Sequence, residues 1–265
     1  MKRYFFHIAY DGSHYHGWQR QVGFRSVQQV IEDSLAKILH LPQVTILGCG
    51  RTDAGVHASQ YFFHADFAQP LRADLLFILN KTLPADIAVF AILPTTDNLH
   101  ARFSAQARSY DYFINLVKDP FLKSQSAWYS LQELDLEAMQ AAVALLAQHD
   151  DYAAFCRQPE LHNTTICRVQ RAALYTAHKG TRLRFHITAN RFLRGQIRIL
   201  VRKLMDIGTG KFSVDAFAQA LHTGQRPPTI FPAPPQGLFL SKVVYSGLNL
   251  DNISTLEDEN WTLLK

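Results

Sequence analysis

Cysteine, methionine and tryptophan each occur only three times in 265 residues. The cysteines, Cys49, Cys156 and Cys167, are odd in number and widely spaced. That excludes a disulfide framework and points to a reducing compartment, the cytoplasm. There is no CxxC pair and no HExxH, so the twelve histidines form no recognisable metal motif. "HYHGW" places His14 and His16 two apart with no companion ligand at metal spacing. Neither a metal nor another cofactor is expected. Long hydrophobic runs are also missing. The opening "MKRYFFHIAYDG" turns from basic to apolar, but His7 breaks the run and Asp11 stops it, which fits neither a signal peptide nor a membrane span. "GTGK" at 208–211 is not a phosphate loop, because Met205 and Phe212 stand where that loop needs Gly and Ser or Thr. No dinucleotide fingerprint occurs either.

What is present is a composition of 48% hydrophobic and 18% charged residues, that of a globular chain with a real core and room for one large domain or two small ones. The net charge is +5, but its distribution says more. Residues 181–211 hold eight Lys or Arg against Asp206 alone, a local +7 that exceeds the charge of the whole chain. The closing "LEDEN" is acidic and reads as a solvated tail.

Hydrophobic spacing lays out the elements. "RYFFHIAY" reads as a strand, "DGSHYHGWQRQVGFR" as a loop, and Ser26 as the N-cap of a helix "VQQVIEDSLAKIL". Strand "VTILGCG", a glycine turn and strand "QYFFHADF" follow, then helix "LRADLLFILNKTL" and strand "DIAVFAIL". The second half offers strand "SYDYFINL", helix "LEAMQAAVALLAQ", strands "RVQRAALYTA" and "RLRFHITA", helices from Phe192 to Ile207 and from Val214 to Leu221, and strand "GLFLSKVVY". The order nearly repeats. It predicts an α+β fold of two similar halves, each a mainly antiparallel sheet with helices on one face, facing across a central cleft. The boundaries read as 1–103, 104–247 and an acidic tail 248–265, with "PTTDNLHARFSAQA" as the crossing.

The glycine turn "GCGRTDAGVHA" is the densest chemical feature. Gly48, Gly50 and Gly55 permit backbone that a Cβ would forbid. Arg51 and Asp53, two apart on extended chain, point to the same side. Arg51 can hold Asp53 ionised, or bind a phosphate while Asp53 does chemistry, or the two form a solvent-facing ion pair of little consequence. In "RFLRGQIRILVRKLM", Leu193, Ile197, Leu200, Val201 and Leu204 fall on one helical face and Arg194, Arg198 and Arg202 on another. Like charges at that spacing repel unless anions meet them, either carboxylates of the protein or phosphates outside it. Tyr15 and Trp18 are loop aromatics able to stack on bases.

"GRTDAGVHA" closely resembles the signature of the TruA family of tRNA pseudouridine synthases. "YDGSHYHGWQRQ" with "RSVQQVIEDSL", "ARFSAQARSYDY", "NRFLRGQIRILVRKLMDIGTGK" and "PAPPQGLFLSKVVY" resemble further family blocks in the family's order. The resemblance implies the pseudouridine synthase fold, and isomerisation of uridine at positions 38 to 40 of the tRNA anticodon arm by a homodimer. It implies that Asp53 is the catalytic aspartate and that Arg51 helps seat the flipped nucleotide. Tyr110 would stack on the target base, Arg198 would pair with the aspartate and Leu238 would line the pocket. Arg194, Arg202, Lys203, Tyr15, Trp18 and Gln19 are the expected RNA contacts. Gln196 departs from the family's methionine, and Arg202-Lys203 from its small pair. The chemistry breaks the N1 glycosidic bond, turns the base and rejoins the sugar at C5, with no redox change. A carboxylate can start it as a nucleophile at C1′ or C6, or as a base on the sugar, once the base has left its stack. Two other classes fit the same residues: a non-catalytic RNA-binding protein of this fold, and a nucleic-acid N-glycosylase, which would release free base.

Overall fold

The computed structural model describes residues 1–95, 99–130, 133–246 and 261–264. The fold is α+β and divides into two compact units, Met1–Gln106 with Phe239–Glu257 and Ala107–Leu238 with Asp258–Lys265. No helix among the described residues is long and apolar enough to cross a membrane.

The first unit is built on β1 (Lys2–Tyr10), β2 (Leu47–Gly48), β3 (His57–Phe67), β4 (Ile87–Thr95) and β9 (Leu238–Tyr245), with α1 (Val27–Leu39) and α2 (Leu75–Thr82). β1 lies between β3 and β4 and is antiparallel to both, Phe6 facing Phe63 and Ile92. The other edge of β3 receives β2, antiparallel, and β9, parallel, through His57↔Phe239 and Ala58↔Leu240. The sheet is therefore mainly antiparallel, with one parallel pairing. Tyr4 to Ile8 are all buried, so both faces of β1 are covered and its apolar run is continuous instead of alternating. α1 starts as its sequence predicts: the Ser26 hydroxyl accepts from Gln29 N–H at 3.3 Å, and Val27, Ile31 and Leu35 are fully buried. The expected strand "VTILGCG" shrinks to two residues. Just before it, the Ile46 backbone is taken by α1 side chains instead: Ile46 N–H donates to Glu32 Oε1 at 3.1 Å, and Gln28 Nε2 donates to Ile46 O at 3.2 Å.

The second unit contains β5 (Ala105–Asn115), β6 (Ala127–Trp128), β7 (Val169–Ala177), β8 (Arg182–Ala189) and β10 (Thr262–Leu263), with α3 (Leu136–Leu146), α4 (Gln196–Gly208) and α5 (Val214–Thr223). β8 pairs antiparallel with β5 and β7. β10 caps the far edge of β7, and β6 runs parallel to β5. In β8 the buried residues Leu183, Phe185, Ile187 and Ala189 alternate with half-buried polar ones, which marks a sheet with one fully covered face. α4 begins four residues later than predicted, after Gly195 in a left-handed N-cap conformation (φ +72°). Its expected apolar face is buried throughout: Leu193, Ile197, Leu200, Val201 and Leu204 are at most 5% exposed. β6 and β10 have too few residues to carry a periodic signal. "LEDEN" lies outside the described residues.

His7 sits in the first unit fully buried between Phe62 and Phe90, with ring centroids 4.8 and 5.2 Å away, and neither ring nitrogen has a hydrogen-bond partner. Burial holds its pKa down at about 4, and burial also lowers His64 to about 4. Both rings bind protons in the unfolded chain below about 6.5 but not in the fold. Their contribution is therefore complete above that pH and is lost as the pH falls towards 4. The urea midpoint of the protein is expected to fall between pH 7 and 5, with at most about 1.4 kcal/mol per pH unit from each ring. His7→Phe should flatten that slope, and an unchanged slope would show that His7 does not contribute to it.

Candidate active site

Residues 49–56 connect β2 to β3, and their backbone is held at nearly every peptide. Cys49 N–H donates to Phe62 O at 2.7 Å, and the Tyr61 hydroxyl donates to Gly50 O at 2.6 Å. Trp18 N–H donates to Thr52 O at 3.3 Å, Gly55 N–H to Tyr15 O at 3.2 Å, and Val56 N–H to Asp53 O at 3.2 Å. Thr52 is 8% exposed and shares a 2.9 Å hydroxyl hydrogen bond with Tyr10. The inward turn of Thr52 leaves Arg51 exposed and Asp53 half-buried. Among the described residues Arg51 makes no ion pair, so the reading of Arg51 and Asp53 as a solvent-facing salt bridge falls away.

The loop that precedes α1 clamps this turn from outside. A Cβ on Gly12 would fall on the Val56 carbonyl. Gly17 has φ +84°, and a Cβ there would strike the Thr52 carbonyl and stand 3.1 Å from the carbonyl carbon of Asp53. Only glycine lets the two backbones approach so closely. Gly12 N–H also donates to His57 Nδ1 at 3.1 Å. This corrects the expectation for Tyr15 and Trp18, which are 3% and 2% exposed and present no free ring face to a base. Trp18 stacks on Tyr61 at 4.1 Å. The Tyr15 hydroxyl donates to Asp86 Oδ1 at 2.5 Å, and burial together with that acceptor pushes its pKa up. The backbones of both residues are hydrogen-bonded to the turn, which draws their side chains inwards. Gln19, beside them, is half-buried.

In the second unit, Tyr110 lies on β5 opposite Ile187, 8% exposed, with its ring edge-on to Phe192 at 5.1 Å. Arg198, in the first turn of α4, donates through Nε to Ala233 O at 2.7 Å, while Ala233 N–H donates back to Arg198 O at 2.8 Å. The Tyr112 hydroxyl donates to Pro234 O at 2.8 Å. Together they pin the segment that leads to Leu238, which is 6% exposed.

The expected stripe of basic residues on α4 divides. Arg194 stands before the helix, exposed, and donates to Gln158 Oε1 at 3.1 Å. Arg202 meets a carboxylate of the protein, Asp206, at 3.0 Å. Lys203 is corrected outright as an RNA contact: it is 3% exposed, 3.1 Å from Asp206, with its ammonium 4.8 Å from the Phe212 ring centroid. Its charge is satisfied inside the protein. Gln196 is fully buried, its Oε1 accepting from Leu193 N–H at 2.8 Å, which fixes the approach to α4.

The supporting residues Tyr10, Thr52, Tyr61 and Asp86 were not singled out in the sequence. Tyr10 ends a strand beside a loop, but nothing local marks Asp86, which is 71 residues from its partner Tyr15. Among the described residues no group of three or more His, Cys, Asp or Glu could hold a metal ion.

Comparison with known proteins agrees with the motif reading. The sequence model of a family described as "tRNA pseudouridine synthase" matches residues 141–246. A tRNA pseudouridine synthase A of Porphyromonas gingivalis is 37% identical over 248 residues, spanning 92% of this chain and 98% of its own. The enzyme of the same name from Bacteroides fragilis is 38% identical, over 92% of this chain and 97% of its own. That from Chlorobaculum tepidum is 39% identical, over 90% and 96%.

Proposed function

The chain belongs to the tRNA pseudouridine synthase A family, and from that premise we propose that it isomerises uridine to pseudouridine in tRNA, at positions 38 to 40 of the anticodon stem-loop, with Asp53 as the catalytic carboxylate. The observation that supports this assignment of Asp53 is the fixed turn. A half-buried carboxylate stands on a backbone that is hydrogen-bonded before and after it, with an exposed guanidinium two residues away. Such rigidity holds a reacting group in place without reorganisation at the moment of reaction. Each route open to the carboxylate starts from its ionised form.

In this reading Arg51 takes a phosphate of the flipped nucleotide, since it has no carboxylate to neutralise it. Tyr110 supplies a ring against the base, Leu238 an apolar wall, and Arg198 the cation that a desolvated carboxylate needs. The uracil N1–C1′ bond breaks, C5 bonds to C1′, the C5 proton leaves and N1 gains one, so the RNA keeps its mass. The working enzyme is a homodimer. The test is incubation of unmodified tRNA with the purified protein, followed by nucleoside analysis and mapping of the modified positions. Pseudouridine at one or more of positions 38 to 40, without free uracil, is expected. Released uracil, or tRNA left unmodified, would overturn the proposal.

A further inference from the structure

Four arginines in the second unit lie on neighbouring segments, and among the described residues none of them meets a carboxylate of the protein. The segments around 157, 168 and 190–195 are tied together by backbone. Arg157 N–H donates to Arg194 O at 2.9 Å, Asn190 N–H to Arg168 O at 3.2 Å, and Arg168 N–H to Asn190 Oδ1 at 2.8 Å. The Arg157 stem lies across Gly195, with Cγ and Cδ both 3.3 Å from where a Cβ would stand. Arg157, Arg168 and Arg194 are exposed and Arg191 is half-buried. The acidic residues nearby are Asp150, Asp151 and Glu160. Among the described residues none of these three pairs with any of the four arginines, and the Gln158 amide is the one side chain that receives a guanidinium from them. Other arginines of the unit are engaged internally: Arg202 with Asp206, Arg226 with Cys156 O and Arg171 with the Tyr175 hydroxyl.

We infer that Arg157, Arg168, Arg191 and Arg194 form a phosphate-binding surface that grips the RNA backbone beside the target nucleotide. Four guanidiniums carried by segments tied together through their backbone, with no carboxylate to neutralise them, repel one another, and a polyanion removes that cost. The planar, always charged guanidinium suits phosphate oxygens. The location follows from Phe192, which lies between Arg191 and Arg194 in the chain and packs on Tyr110. The surface therefore borders the residue assigned to the flipped base. This inference rests on the proposed activity and adds to it where the flanking phosphates are held.

The test uses the full chain and unmodified tRNA, with Arg157→Gln, which keeps most of the packed stem, Arg168→Ala, and the double variant. Each single change is expected to raise KM roughly three- to tenfold at moderate salt with kcat unchanged, and the double change to multiply the two effects. The slope of log KM against log salt should fall by about 0.7–0.9 per lost arginine. Arg157→Lys and Arg168→Lys keep the charge and should keep most of the slope, as should Lys179→Ala, which removes an exposed cation elsewhere in the unit. A wild-type protein that makes no pseudouridine defeats the underlying activity. An active wild type whose variants keep its KM and salt slope defeats the phosphate surface alone.

Discussion

Asp53→Asn is expected to abolish pseudouridine formation, with a loss beyond about a thousandfold, or ~4 kcal/mol of barrier. The substitution keeps the size and shape of the side chain and removes only the charge and the nucleophilic or basic oxygen. The backbone around it is held by Trp18, Tyr15 and the Tyr10–Thr52 hydroxyl pair, none of which touches the carboxylate through these bonds. Fold and tRNA affinity should therefore survive, which separates a chemical defect from a binding defect. The measurement is single-turnover pseudouridine formation alongside tRNA binding. Activity within about tenfold of wild type, ~1.4 kcal/mol, would remove Asp53 from the chemistry.

Gly17→Ala should also damage activity, although residue 17 is remote in sequence from the aspartate. The left-handed backbone at φ +84° costs an alanine about 1–2 kcal/mol. The new methyl group must also push away the Thr52 carbonyl and its neighbour Asp53, which adds about 1–3 kcal/mol. The thermal midpoint is expected to fall by roughly 5–12 °C, and kcat to fall at least about tenfold because the strain is relieved by moving the reacting residue. Gly23→Ala is the matched control. Its φ is +80°, yet nothing lies within 4 Å of the added Cβ, so it should lose a little stability and no kcat. Equal kcat values for the two variants would show that the loop before α1 does not position Asp53.

Local signals were legible wherever a residue's role depends on its near neighbours. The Ser26 cap, the span of α1 and the buried stripe of α4 follow from spacing alone, because a helix repeats its face every few residues. The glycine turn was conspicuous because close backbone approach needs glycine, whatever approaches it. The run "VTILGCG" gives only a two-residue strand because the Ile46 backbone is partnered by side chains of α1, 14 and 18 residues away. Periodicity does not report who accepts a hydrogen bond.

The sequence by itself determined the element types, the basic excess of 181–211 and the motifs that place the chain in its family. The formation of α4 decides which of its charges remain available. Arg202 and Lys203 look alike in sequence to Arg194, but one turn of helix brings Asp206 to the first two, while Arg194 stands before the helix. Tertiary structure alone decided that Tyr15 and Trp18 are buried and hydrogen-bonded through their backbone to the aspartate turn. Whether an aromatic faces solvent depends on what packs against it, and those partners, Asp86 and Tyr61, come from distant parts of the chain, whereas Asp206 reaches Arg202 and Lys203 within a single helix.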